Sequence, residues 1–133
     1  MSGKKFDQDK PRMSLLIDGM PRALLEVGKV LTFGAQKYAD HDWLNVPFAI
    51  SRYKSALIRH ELAKAQGQEI DPESGLSHSA HIACNALFIL ELDLRSRESM
   101  KEVITEAEQE AFVESMYKAL DLEKQVHIYR STR

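Results

Sequence analysis

One stretch constrains this chain more than any other: the run from Asp71 to Glu91, Asp-Pro-Glu-Ser-Gly-Leu-Ser-His-Ser-Ala-His-Ile-Ala-Cys-Asn-Ala-Leu-Phe-Ile-Leu-Glu, where an acidic turn leads straight into a helix start carrying two histidines. Ser77 is a suitable N-cap, because a serine oxygen can accept one of the unpaired N–H groups of a first turn. His78, His81 and Asn85 then fall at i, i+3 and i+7, on one stripe of the helix. Leu87, Phe88, Ile89, Leu90 and Leu92 follow almost without a break. That pattern predicts a helix buried on most sides, with its polar members inside the protein. A buried polar group left unpaired costs roughly 1–3 kcal/mol, so the stripe requires partners from a neighbouring segment.

The segment Ser51 to Gly67 meets that requirement, with a cap-like serine at one end and a stop-like glycine at the other. It reads as a helix. Arg52 and Arg59 are seven residues apart and nearly eclipsed, Ala56 and Ala63 continue the same face, and His60 and Glu61 lie beside it. Two arginines and a histidine make a surface suited to an anion. Only Gln68 to Ser77 separates the two helices, which is enough for an antiparallel return and too little for another element. His60 and His81 can then face one another, and site roles are expected for both. Asp71 and Glu73 are open to two readings, as turn formers or as site acids, since Asp-Pro-Glu-Ser-Gly is also good turn chemistry.

A chain of 133 residues, 44% hydrophobic and 29% charged, can bury a core without disulfides or a structural metal, so a single domain is expected. The lone Cys84 lies in the apolar helix and reads as a buried, inert thiol of a reducing compartment. No apolar run approaches the ~18 residues of a membrane span. The start Met-Ser-Gly-Lys-Lys lacks an apolar signal core, so the expectation is a cytoplasmic chain. The net charge of −2 hides an asymmetry: residues 1–67 carry 11 Lys+Arg against 7 Asp+Glu, whereas 68–133 carry 7 against 13. Binding to a nucleic-acid polymer normally needs a larger basic excess, and a small anionic ligand fits better.

Residues 1–12 read as an extended or flexible arm, because Lys10-Pro11 opposes helix at that point. Pro21 is a good first helical residue, and Ala23, Leu24, Val27, Val30, Leu31 and Phe33 keep helical spacing to about Tyr38. Lys37 and Tyr38 end this helix and lead into Asp40-His41-Asp42-Trp43. A lysine offers phosphate a point charge, and Tyr38 or Trp43 offers a base a stacking face, although a sole tryptophan is also an ordinary core anchor. Glu26 reads as an exposed or structural acid, and His41 and His127 read as surface residues. Further on, Thr105 and Glu108 suggest a capping box, with Ala107, Ala111, Phe112, Met116 and Leu120 on one stripe, predicting a helix over 105–122. Val126 to Arg130 is too short to classify.

Several of these segments, taken in order, resemble a known family. They are Lys10-Pro11-Arg12-Met13-Ser14-Leu15-Leu16, Val30-Leu31-Thr32-Phe33-Gly34-Ala35-Gln36-Lys37-Tyr38-Ala39-Asp40-His41-Asp42-Trp43, Arg59-His60, Asp71-Pro72-Glu73-Ser74-Gly75, and His78-Ser79-Ala80-His81 with Asn85. Over about residues 6–93 they resemble the N-terminal domain of bacteriophage dATP/dGTP diphosphohydrolases, itself similar to the all-α nucleoside triphosphate pyrophosphatases typified by MazG. The resemblance implies a helical bundle, Mg²⁺ or Mn²⁺, cleavage of a nucleoside triphosphate to monophosphate and pyrophosphate, and assembly as a dimer or tetramer. It also suggests that Arg12 closes over phosphate, if the arm is not simply mobile. One departure stands out. MazG-type enzymes carry Glu-x-x-Glu and Glu-x-x-Asp patterns on facing helices; here Glu61 falls in the first, while His81 and Asn85 stand where the second would be acidic. Asp42 matches an asparagine of the family's Tyr-x-x-x-Asn-Trp run and can compensate with one carboxylate. Imidazole suits Mn²⁺, Zn²⁺ or another transition ion better than hard Mg²⁺.

The expected molecule is therefore all-α, a MazG-like bundle of four main helices with core helices over 21–97, oligomeric, and in the host cytoplasm if phage-encoded. The expected activity is metal-dependent pyrophosphohydrolysis of a purine deoxynucleotide, dGTP or dATP. His60, Glu61, His81 and Asn85 are the expected catalytic set. Lys37, Tyr38, Trp43, Arg52, Arg59 and His78 are expected to bind nucleotide, and Glu61, Asp71, Asp42 and His81 to hold Mg²⁺ or Mn²⁺. The alternative is a phage protein that sequesters a signalling nucleotide without cleaving it. A third reading, an assembly module, leaves the histidine and arginine constellation unused.

Overall fold

In the computed structural model, residues 2–103 and 106–131 are described, with side chains described for 2–101 and 108–120. The chain is all-α, and among the described residues there is no strand. The described residues form five helices: α1 Ser14–Gly19, α2 Pro21–Lys37, α3 Ala49–Ala65, α4 His78–Val103 and α5 Glu106–Ser131, with a 3-10 turn at Asp42–Asn45 before α3. Two compact units divide the chain, Met1–Leu92 and Asp93–Arg133.

In the first unit, α2 starts at Pro21 as predicted, because proline lacks only an N–H that a first turn leaves unpaired anyway. It ends at Lys37, where the Tyr38 N–H donates to the Gly34 carbonyl at 3.0 Å. His41 and Phe48 then adopt left-handed backbone, with φ of 60° and 54°, on either side of the 3-10 turn. The Tyr53 hydroxyl donates to the Trp43 carbonyl oxygen at 2.6 Å and so ties α3 to that turn. α3 stops in a Schellman arrangement: the Gly67 N–H donates to the Lys64 carbonyl at 2.9 Å and the Gln68 N–H to the Ala63 carbonyl at 3.0 Å. Gly67, at φ +89°, supplies the left-handed residue this cap needs.

The first unit buries Val27 of α2 with Ala80 and Cys84 of α4. The Trp43 and Phe88 rings stack at 4.3 Å between centroids, and Tyr53 tilts against Phe88 at 5.0 Å. Burial pushes the Cys84 thiol up to about 11, which keeps it protonated and unreactive. α4 is less covered than its sequence predicts: Leu87 and Leu90 are about half exposed. The reason is geometric, since an apolar run of consecutive residues points all round a helix while α3 and the 3-10 turn meet only part of it. α1 was not predicted, because its six residues are too few to show a helical period.

In the second unit, Asp93 and Arg97 pair at 2.9 Å along α4. α5 extends past the predicted end and takes in Val126 to Arg130. The capping box expected at Thr105 lies outside the described residues. No helix is long and apolar enough to cross a membrane among the described residues.

Candidate active site

The connection from α3 to α4 is a tightly knotted loop rather than a slack return. Ile70 and Ser77 form an isolated antiparallel bridge, with the Asp71 N–H donating to the Leu76 carbonyl and the His78 N–H to the Glu69 carbonyl, at 2.8 and 2.9 Å. Within it, the Gly75 N–H donates to the Asp71 carbonyl at 2.8 Å, and Gly75 sits at φ +72°. Asp71 Oδ1 accepts from the Glu73 N–H at 2.9 Å, an Asx turn. Ser77 caps α4 as predicted, its hydroxyl accepting from the Ala80 N–H at 3.1 Å. Both features, the cap and the turn, are short-range chemistry that fixes where the first turn of α4 faces.

The first two turns of α4 carry the buried polar residues of the unit among those described. His78, His81 and Asn85 are 4%, 8% and 7% exposed. His78 and His81 meet His60 from α3. The His60 and His81 rings stack nearly parallel, 8° apart, at 4.5 Å between centroids. His60 Nδ1 lies 2.8 Å from His78 Nδ1, and His78 Nε2 lies 2.8 Å from Gln68 Oε1. An amide oxygen can only accept, so His78 donates from Nε2; in its neutral form its Nδ1 accepts from the His60 Nδ1–H. This relay leaves Nε2 as the unprotonated nitrogen of His60.

His81 Nε2 stands 2.7 Å from the Ser74 hydroxyl and 3.5 Å from Asp71 Oδ2. Ser74 Oγ accepts from the Leu76 N–H at 3.2 Å and is free to donate its proton to His81, the tautomer in which that nitrogen carries a lone pair. Asn85 donates back to the His81 carbonyl at 2.8 Å, steadying the same turn. Burial, and then the neighbouring His81, push His60 below its ordinary value, while Asp71 opposes the shift. His81 is lowered by burial, again against Asp71. Both imidazoles are therefore held neutral near pH 7, with lone pairs to offer.

The structure brings His60, Asp71 and His81 into one cluster, with one ligand atom from each all within 4.8 Å of one another. Of the expected metal residues, Asp71 and His81 lie in this cluster; Glu61, exposed on α3, and Asp42, in the 3-10 turn, do not. His78 is a buried partner of His60 rather than an open contact. Trp43 is occupied on one face by Phe88. Arg52 and Arg59 are exposed on α3. Lys37 pairs with Glu73 at 2.5 Å, which holds its ammonium above the ordinary value and links the end of α2 to the loop, and it also sits 5.3 Å over the exposed Tyr38 ring. Neither Gln68 nor Ser74 was given a site role from the sequence, although Ser74 stands in the Asp71–Gly75 motif. For Gln68 the signal was no more than a polar side chain in a short connection between two histidine-bearing helices.

Comparison with known proteins places the chain in a family. Residues 1–102 match the family model described as dATP/dGTP diphosphohydrolase, N-terminal. The chain belongs to this family. A dATP/dGTP diphosphohydrolase of Salmonella phage PMBT28 is 43% identical over 89 residues, 67% of this chain and 29% of that protein. The chain thus spans less than a third of that relative. No solved structure matches it.

Proposed function

We propose that this chain hydrolyses a purine deoxynucleoside triphosphate, dATP or dGTP, to the monophosphate and pyrophosphate at the His60–Asp71–His81 cluster. The observation that carries the reading is the convergence of two neutral imidazoles and one carboxylate, from three segments, in a chain of the dATP/dGTP diphosphohydrolase N-terminal family. A core that needed only packing would not concentrate its buried polar side chains there.

The chain's own groups divide the work. Arg52 and Arg59, exposed on the helix that supplies His60, balance the charge of the triphosphate. Lys37 adds a third cation, and phosphate then competes with Glu73 for its ammonium. Tyr38, 69% exposed, offers a stacking face to the base. Asp71 Oδ2 and His81 Nε2, 3.5 Å apart, orient a water whose oxygen bonds to phosphorus as the bond to the departing pyrophosphate breaks and whose proton passes to solvent.

The resemblance implies Mg²⁺ or Mn²⁺. A donor set of two imidazoles and one carboxylate fits Mn²⁺ and is a poor match for Mg²⁺, which takes oxygen ligands. When bound by these residues, such a cation would polarise phosphate and acidify water. The chain is further read as a homo-oligomer: Leu15, Leu16 and Ile17 of α1, Leu25 and Leu31 of α2 and Met20 between the two helices are each at least 40% exposed, an apolar surface that a second copy can cover. Light scattering on the purified chain tests this, and a monomer refutes it.

Mass spectrometry of products, after incubating the chain with the four deoxynucleoside triphosphates and Mn²⁺, tests the activity. The expected products are dAMP or dGMP with pyrophosphate. Release of intact triphosphate, or recovery of unchanged nucleotide from a tight complex, refutes the proposal; the second outcome is nucleotide capture.

A further inference from the structure

We propose that His60, Asp71 and His81 form a site for a single divalent transition ion of the Mn²⁺, Co²⁺ or Zn²⁺ class, and that this site discriminates against Mg²⁺. The inference deepens the reading of the cluster as a hydrolytic centre, but it concerns the ion alone and holds whatever the substrate is.

Three independent features point to it. The first is spacing. At 3.5 Å, Asp71 Oδ2 and His81 Nε2 are too far apart for a good hydrogen bond. That separation is close to ~3.4 Å, the distance between two ligand atoms of a tetrahedral ion with bonds of about 2.1 Å. His60 completes a triangle of donors already within 4.8 Å, so small side-chain rotations close it around an ion.

The second feature is the way two of the three donors are held from behind. Asp71 Oδ1 is tied to the Glu73 N–H, which leaves Oδ2 to bind as a single-oxygen ligand. His60 Nδ1 is tied through His78 to the Gln68 carbonyl, which leaves Nε2 with the lone pair. Metal-binding histidines characteristically donate their other N–H to such a partner, which fixes both tautomer and ring orientation. The Asn85 amide steadies the His81 carbonyl on the helix behind the ring. At His81 the Ser74 hydroxyl lies 2.7 Å from Nε2 itself and would yield that lone pair to the ion; a purely structural cluster does not need outer partners of this kind on His60 and Asp71.

The third feature is the chemistry of the donors. Two nitrogens and one oxygen suit ions that accept imidazole, and three protein ligands leave positions open for water and phosphate oxygens. Mg²⁺ loses its waters reluctantly and is normally held by carboxylates and phosphates, of which this site supplies a single carboxylate. The acids that would rebuild an all-oxygen cage, Glu61 and Asp42, lie outside the cluster.

The test uses the full chain, stripped of metal with a chelator and then titrated with Mn²⁺, Co²⁺ or Mg²⁺ alone, without nucleotide. Calorimetry should show one site at which Mn²⁺ and Co²⁺ bind about tenfold or more tighter than Mg²⁺. Pulsed electron spin resonance of the Mn²⁺ form should show coupling to imidazole nitrogen, a readout that needs no variant. Asp71→Asn keeps the Oδ1 acceptor of the turn and should weaken Mn²⁺ by about tenfold or more with an unchanged circular dichroism spectrum. Equal affinity for Mg²⁺ and Mn²⁺, absence of nitrogen coupling, or an Asp71→Asn variant that folds and binds Mn²⁺ like the parent would overturn the inference. A chain that binds Mn²⁺ as described and cleaves no nucleotide leaves the metal site standing and removes the proposed function.

Discussion

Replacing His78 by alanine should show that the histidine cluster is held together by its relay rather than by packing alone. His78 is 4% exposed and makes two side-chain hydrogen bonds, to Gln68 and to His60. Each contributes about 0.5–1.5 kcal/mol net. Gln68 is exposed and exchanges its lost partner for water at little cost. His60 is only half-buried, so its freed N–H adds a penalty at the low end of the ~1–3 kcal/mol for an unsatisfied buried donor. The sum is a loss of about 2–4 kcal/mol. At roughly 4 °C per kcal/mol for a chain of this size, the melting temperature should fall by about 8–16 °C. Circular dichroism melts of the metal-free protein measure it. Gln68→Ala alone should cost less than about 1 kcal/mol, and adding it to His78→Ala should change little, because the two changes remove a shared interaction. A His78→Ala variant that melts within about 2 °C of the parent would refute the relay.

Gly75→Ala should destabilise by about 1 kcal/mol in urea titration, because its φ of +72° strains any side chain although the space around it is open. Acid should weaken the fold through His60 and His81. Both are depressed below 6.5 by burial, so the unfolded chain binds more protons; their contribution is complete above pH 6.5 and is lost as pH falls through the folded values, which urea midpoints on either side of that pH will show. Arg59→Ala should weaken binding of a non-hydrolysable dGTP analogue by about 1–3 kcal/mol in calorimetry, with the melting temperature unchanged.

The parts of this molecule that sequence made legible are those set by residues a few positions apart. Pro21 at the start of α2, Gly67 closing α3 and Ser77 capping α4 each act through one or two backbone hydrogen bonds, and each stands where it was expected. The stripe of His78, His81 and Asn85 was legible for the same reason, and all three are buried. What escaped was set by tertiary contact. The loop turns Gln68 and Ser74 toward imidazoles that are near in space, and the structure brings His60 rather than its neighbour Glu61 into the cluster with Asp71 and His81. Adjacent helical residues point about 100° apart, so only the packing of α3 against α4 decides which of the two faces inward. The exposure of Leu87 and Leu90 likewise depends on what covers α4, which their hydrophobicity does not specify.

The central claim, that the His60–Asp71–His81 cluster hydrolyses a purine deoxynucleotide, is tested most directly by comparing dGTP turnover in the parent and in Asp71→Asn, in Mn²⁺ and at matched stability. The substitution preserves the acceptor for the Glu73 N–H and removes only the charge facing His81. The account predicts dGMP and pyrophosphate from the parent, and a rate lower by on the order of 10²-fold in a variant with an unchanged melting temperature. Equal turnover by the two proteins would contradict it, as would deoxyguanosine and intact triphosphate as the parent's products.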